Sequence, residues 1–307
     1  MTMTNTVIEC HQLTKNYRKQ CALDHVDLKI NKGEIFGLIG RNGAGKSTMM
    51  KILGGMVHPS AGDFRLFGKY PSEDPYVYRR IGTLIEEAGL YGTMSALGNM
   101  HTKALAMGCD DEKELRELLT ICSLDPDSKK KAKAFSLGMK QRLGLALSMI
   151  GNPELLILDE PVNGLDPQGI LDIRNALLRL NKERNVTIIL SSHILEELSK
   201  IATSYGIIKD GKLIQHMTRE ELDNSCKDYC QLHVGDVKKA AVILEEMHIK
   251  NFKVMAENHI HIYEDVETSA INEVLVKKNV RVNEITMHKQ NLETYFLELT
   301  GGDTHVE

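Results

Sequence analysis

"GRNGAGKST", residues Gly40 to Thr48, decides how the rest of the chain is read. It fits the pattern G-x-x-x-x-G-K-[ST]. Its glycines let successive backbone N–H groups turn inward around phosphate oxygens. Lys46 adds a point charge for the β and γ phosphates, and Ser47 offers its hydroxyl to Mg²⁺. Upstream, "GEIFGLIG" reads as a buried strand. Downstream, Met49, Met50, Ile52 and Leu53 give the next segment an apolar helical face. Strand, glycine loop and helix in that order is the context the motif requires, because the helix turns its positive end to the anion.

A second apolar strand, "LLILDEP" (Leu155 to Pro161), ends in two carboxylates. Asp159 can hold Mg²⁺, usually through water, while Glu160 can orient and polarise an attacking water. Phosphoryl transfer needs this division of labour, since positioning and charge stabilisation do most of the work. Such a strand is weak evidence alone and strong evidence behind the glycine loop. "SSHILEEL" follows the next strand, and His193 at that strand's end can reach a γ-phosphate. An isolated histidine there is more often structural; its position in the ordered set argues the other way. "FSLGMKQRLGLAL" (Phe135 to Leu147) starts a helix, with Ser136 as N-cap and Gly138 permitting close approach of backbone to an anion.

The 307 residues suggest two domains. A net charge of -4 gives no reason to expect nucleic acid as a partner. No run approaches the roughly 18 apolar residues of a spanning helix. The opening "MTMTNTVIECHQ" has neither the basic region nor the apolar core of a secretory signal, so the cytosol is expected unless a partner holds the chain at a membrane. Cys10, Cys21, Cys109, Cys122, Cys226 and Cys230 do not complete a zinc set and read as buried or idle thiols. "VIECHQLTKNY" and "ALDHVDLKI" alternate as strands. From Leu90 to about Met149 the composition turns helical, with Leu115, Leu118, Leu119 and Ile121 on one face. Lys129 to Lys133 reads as a solvated helix end. Strand-helix alternation returns after Pro153 and closes with the hairpin turn "KDGK". Beyond the charged "TREELDNSCKD", the predicted order is strand (Tyr229–Val234), helix (Val237–Met247), strands (Phe252–Ala256 and His259–Tyr263), helix (Thr268–Lys278) and strand (Val280–Met287). A last helix (Leu292–Leu299) follows. This is the β-α-β-β-α-β order of a ferredoxin-like sandwich.

Taken in order, these motifs resemble the nucleotide-binding subunit of an ABC transporter. "GRNGAGKST" is similar to the Walker A loop, "LLILDE" to the Walker B strand, "NGLD" to the D-loop, "SSH" to the switch histidine and "FSLGMKQR" to the ABC signature. The likeness spans roughly Val7 to Gln215. It implies an α/β fold: a P-loop ABC-type nucleotide-binding domain over residues 1–222, with a helical subdomain at about 88–150, and a small α+β accessory domain at 228–307. It further implies that ATP is held by Gly40, Arg41, Asn42, Gly43, Ala44, Gly45, Lys46, Ser47 and Thr48, with Tyr17 stacked on adenine. Ser136 and Gly138 are then expected to meet the γ-phosphate. More narrowly, "IGTLIEEAGLYGTMSA", "SLGMKQRLGLAL" and "NLETYFLELTGG" resemble the bacitracin-type and lantibiotic-immunity branch.

The chain departs from the family pattern twice. Leu137 and Met139 replace a glycine and a glutamine of the signature. Most ABC ATPases also place a glutamine near the metal and the attacking water, yet no glutamine occurs between Gln20 and Gln141. Glu86 falls at that position, as it does in the lantibiotic-immunity branch. A carboxylate beside a triphosphate invites repulsion, but its oxygen is a hard ligand and the charge of Mg²⁺ offsets the phosphate. The resemblance thus implies Mg²⁺ on Ser47, Asp159 and Glu86, with Glu160, His193 and Glu86 as the catalytic set, and Glu87 pointing elsewhere. Implied partners are a second ATPase subunit, as homodimer or heterodimer, and integral membrane permease subunits at the cytoplasmic face of the membrane, with no nucleic acid. The expected function is ATP hydrolysis driving export of, or protection from, a peptide antibiotic. The alternative is a soluble ABC ATPase of translation or repair. Such proteins usually carry two nucleotide domains or a long coiled-coil insertion, and one Walker A loop with a short Glu86–Ser136 interval argues against that. A regulator that binds without hydrolysing is disfavoured by Glu160 and His193.

Overall fold

The computed structural model describes residues 5–18, 20–193, 195–225, 228–256 and 258–288, together with 292, 295, 296 and 299. The chain divides into two compact units, Met1–Arg219 and Glu220–Glu307. The strands of the first are β1 (Thr6–Tyr17), β2 (Gln20–Asn31), β3 (Ile35–Ile39), β4 (Ala61–Leu66), β5 (Ile81–Leu84), β6 (Leu155–Leu158), β7 (Thr187–Ser192), β8 (Ser204–Lys209) and β9 (Lys212–Thr218). Its helices are α1 (Lys46–Leu53), α2 (Ala96–Met107), α3 (Glu112–Ile121), α4 (Leu137–Ser148), α5 (Pro167–Arg184) and α6 (Leu195–Ile201), and α7 (Arg219–Ser225) crosses the boundary.

Six strands form one sheet in the order β5-β6-β7-β3-β8-β9. The first five run parallel and β9 returns antiparallel to β8. Every residue of β3, β6 and β7 is buried. A parallel strand covered on both faces has no solvent side, which is why these segments read as unbroken apolar runs. The β8–β9 turn carries Asp210 and Gly211, both at positive φ, as a two-residue hairpin of primed type demands. Because β3, β6 and β7 are adjacent and parallel, the loops leaving their carboxyl ends emerge side by side. Ligands of open α/β sheets bind at such a place. A second, antiparallel sheet of order β2-β1-β4 lies in the same unit.

Helices α2 to α4 make up the helical stretch. Asp111 caps α3, which buries Leu115, Leu118, Leu119 and Ile121. The basic run Lys129 to Lys133 does not end a helix. Residues 129–131 are irregular, and residues 132–134 form a single 3₁₀ turn. The Ala132 N–H donates to the Met94 carbonyl (2.8 Å) and that of Lys133 to Gly92 (3.0 Å), so pairing with a distant backbone fixes the run.

The second unit holds β10 (Tyr229–Val234), α8 (Val237–Glu246), β11 (Phe252–Val254), β12 (His259–Ile262), α9 (Thr268–Lys277) and β13 (Val282–His288). Its sheet has the order β11-β12-β10-β13, with all neighbours antiparallel. Leu232, Ile243, Leu244, Ile260, Ile262 and Leu275 belong to a core of its own. Half of the predicted last helix, Leu292–Leu299, lies outside the described residues; residues 292, 295, 296 and 299 are helical.

Among the described residues, no helix is long and apolar enough to cross a membrane. Cys10, Cys21, Cys109, Cys122 and Cys230 are free thiols, and Cys226 lies outside the described residues. Burial pushes the Cys10 and Cys122 thiols up to about 12, which leaves them protonated and inert.

Candidate active site

The loop after β3 wraps a cleft of about 270 Å³. Asn42, Gly43, Gly45, Lys46, Ser47 and Thr48 line it, with Tyr17 and Glu160. Gly45 has φ 115, and a Cβ built on it would stand 2.5 Å from the Ala22 carbonyl oxygen. Only glycine allows the loop to lie this close to β2 and still start α1. The Lys46 side chain is buried, and its Nζ donates to the carbonyls of Gly40 (2.7 Å) and Arg41 (3.3 Å). Ala44 closes the turn by donating its N–H to the Arg41 carbonyl (3.1 Å). Tyr17 ends β1 with its ring half exposed, and the Lys15 ammonium sits 5.0 Å from the ring centroid.

The two carboxylates after β6 take different surroundings. Asp159 is buried, and its N–H donates to the Leu84 carbonyl at 2.8 Å. Glu160 turns back with φ 50, in the left-handed region that costs a non-glycine residue about 1 kcal/mol or more. One Glu160 oxygen lies 3.6 Å from Lys46 Nζ. The other is 2.7 Å from His193 Nδ1 and also accepts the His193 N–H (3.3 Å). A carboxylate can only accept, so the imidazole presents Nδ1–H and keeps Nε2 for another partner. Glu160 is thus held between a cation and a histidine, at the mouth of a phosphate-binding loop.

Ser191 escaped the sequence reading. Its buried hydroxyl donates to Asp159 Oδ1 (2.6 Å) and accepts the Glu160 N–H (2.9 Å). It ties both carboxylates to β7. The signal lay in "SSH", but the pairing of Leu158 with Leu190, which brings these residues together, is a matter of register.

Ser136 caps α4 by accepting the Met139 N–H at 3.3 Å. Neither it nor Gly138 lines the cleft. Glu86 follows β5 with φ 63, and its exposed carboxylate pairs with Lys51 Nζ at 2.5 Å. Its hydrogen bond to Glu86 raises the Lys51 pKa against partial desolvation, and the charges of Glu86, Tyr17 and Asp159 add to the rise. Among the described residues, Glu87 has no ion pair. Tyr17, the loop, Lys46 and Glu160 therefore share one cleft, His193 and Asp159 join it through Glu160 and Ser191, and the α4 start stands apart.

The family described as ABC transporter matches residues 23–163. The bacitracin transport ATP-binding protein BcrA of Bacillus licheniformis is 38% identical over 303 residues, covering 98% of this chain and 99% of that protein. The lantibiotic transport ATP-binding protein SrtF of Streptococcus pyogenes is 44% identical over 208 residues, which is 68% of this chain and 89% of that protein. A solved ATP-binding subunit of an ABC transporter superposes with a TM-score of 0.63 at 30% identity, over 72% of this chain and 93% of its own. With such relatives matched along nearly their whole length, and with this loop and carboxylate pair at one end of a parallel sheet, the chain belongs to the ABC transporter family as an ATP-binding, ATP-hydrolysing subunit.

Proposed function

We propose that this ATPase subunit drives export of a membrane-active peptide antibiotic, of the bacitracin or lantibiotic class, and so protects the cell that makes or meets it. The observation that carries the reading is the likeness to the bacitracin transport protein, which runs through both units rather than through the ATPase unit alone. Glu86, in place of the usual glutamine, supports it.

In this reading ATP lies in the cleft, with adenine against Tyr17 and phosphates on the loop amides and Lys46. Glu160 accepts a proton from the attacking water, and the His193 N–H keeps its carboxylate aimed. Ser47, Asp159 and Glu86 are all oxygen donors, and such donors, shared with phosphate oxygens, suit Mg²⁺. Bound there, Mg²⁺ would neutralise charge developing on the phosphates. Asp159 is the best suited of the three: it is buried and its carboxylate is held by Ser191.

Ser136 and Gly138 lie off the cleft, so contacts from the signature to the γ-phosphate are assigned to a second subunit packed head to tail. Residues from Glu86 to about Leu105 face a permease in the membrane, and the chain attaches peripherally to its cytoplasmic face. Residues 1–222 perform the ATPase work and residues 228–307 serve as an accessory domain.

The test is resistance. Expression with its neighbouring permease genes in a sensitive host should raise the inhibitory concentration of bacitracin or a lantibiotic, and Glu160→Gln should abolish the gain. An active ATPase that confers no resistance to either class, with its permease present, would overturn the peptide-antibiotic reading.

A further inference from the structure

The Lys51–Glu86 ion pair joins the loop after β5 to the helix that carries the phosphate-binding loop. Lys51 lies on α1, a little over one turn beyond Lys46. The end of that helix is pressed against the same loop: a Cβ built on Gly54 would lie 3.3 Å from Thr83 and 3.4 Å from Ile85. Glu86 adds one negative charge to a region that already holds Asp159 and Glu160 and must accept a polyanion. Asp159 donates its N–H to the carbonyl of Leu84, two residues before Glu86, and a like charge within a Debye length of a polyanion costs several-fold in affinity unless offset. Lys51 supplies the offset within 2.5 Å. Glu87 next door shares the chain position and lacks a cation among the described residues.

Resting on the reading of Glu86 as a residue of the nucleotide site, we propose that Lys51 is its positioning counter-cation. It neutralises the carboxylate toward ATP and fixes where the carboxylate stands relative to the phosphate-binding helix. The pair forms a unit: the carboxylate is tolerable there because the ammonium is present, and the ammonium has no comparable task once the carboxylate is gone. As an exposed pair it contributes little to folding stability. Its effect falls on ligand charge balance, which makes it separable from a structural role.

The experiment is a double-mutant cycle on the full chain, read first by binding of a fluorescent ATP analogue in EDTA, then by the Mg²⁺ dependence of hydrolysis. Lys51→Met should weaken Mg²⁺-free nucleotide binding about three- to tenfold, the scale of one uncompensated unit charge near a surface site. The double substitution Lys51→Met with Glu86→Gln returns the pair to its original net charge and should bind within about twofold of the unsubstituted protein. Lys51→Arg should restore binding, and Lys51→Gln replaces the Met variant if that chain does not fold. A double variant that binds as weakly as Lys51→Met alone would make Lys51 a merely structural residue and overturn the proposal. The reading of Glu86 has its own arm. Glu86→Ala should alter hydrolysis or its Mg²⁺ dependence, and Glu87→Ala should not. If Glu86→Ala matches the unsubstituted protein in every assay, Glu86 is not a residue of the site, whatever Lys51 does.

Discussion

Glu160 carries the clearest consequence at the scale of single residues. Its carboxylate pairs with His193 and lies beside Lys46, so replacing it by an amide keeps the shape and removes the proposed proton acceptor. Glu160→Gln should lower turnover by about 100-fold or more, the usual range for losing a general base, while ATP affinity stays within a few-fold. Single-turnover hydrolysis and nucleotide titration check this; turnover near that of the unsubstituted protein would remove Glu160 from the role. Ser191 has a consequence the motif reading missed. With alanine there, the Glu160 N–H and an Asp159 oxygen lose their partner in a buried place, at a cost of about 1–3 kcal/mol. Both carboxylates can then shift, and small misplacements are costly in catalysis, so Ser191→Ala should reduce kcat about tenfold or more with little effect on ATP binding. An unchanged kcat would mean the backbone alone fixes the two carboxylates. Glu160 and His193 were legible as residues because each closes an apolar strand. Their direct contact, and the tie that Ser191 makes between Glu160 and Asp159, were not, since register between strands far apart in sequence is invisible to local pattern.

Elements were legible in proportion to how completely they are buried. β3, β6 and β7 stand out as apolar runs because both faces are covered. β4 was not read as a strand: only Phe64 and Leu66 of its residues are buried, and the rest face outward. α2 hides its period behind a buried Asn99, whose side chain accepts the Tyr91 N–H (2.7 Å) and donates to the Tyr91 and Ser95 carbonyls. The Lys129–Lys133 run misled for a related reason. Charge density marks solvent exposure, but it cannot distinguish a helix end from a loop pinned by backbone hydrogen bonds. β5 shows what an element demands of one residue. A Cβ on Gly82 would fall 2.0 Å from the Ser148 carbonyl oxygen and 2.7 Å from Leu156. The edge strand can lie against the end of α4 only if that position has no side chain. Gly82→Ala should therefore destabilise the ATPase unit by about 1–3 kcal/mol through overpacking, lowering Tm by several degrees. Gly89→Ala, where nothing lies within 4 Å, is the control. Equal melting of the two variants would show that the strand and helix part without cost.

At the scale of the whole molecule, the cleft proposed for ATP and the C-terminal sheet belong to different compact units, each with a core of its own. Every residue that lines the cleft precedes Pro161. The lantibiotic relative is matched along 89% of its length by 208 residues, so it is a shorter chain by roughly the size of the second unit. An ATPase of this kind therefore exists without so long a tail, and the bacitracin relative retains one. Truncation after Ser225 keeps α7 whole and removes the sheet and core of the second unit. The remaining chain is within the size of a self-sufficient domain, so it should fold, melt cooperatively and bind ATP within a few-fold of the full chain. A monodisperse truncation that cannot bind ATP would contradict the independence of the units. Hydrolysis by the truncated chain then tests what the second unit adds. If that unit braces a pair of subunits, removing it leaves the site's chemistry intact but weakens association. Specific activity should then fall on dilution, at concentrations where the full chain keeps its rate, and recover as the subunit is concentrated. If the rate per subunit is instead the same for both chains at every concentration, the second unit takes no part in holding the pair.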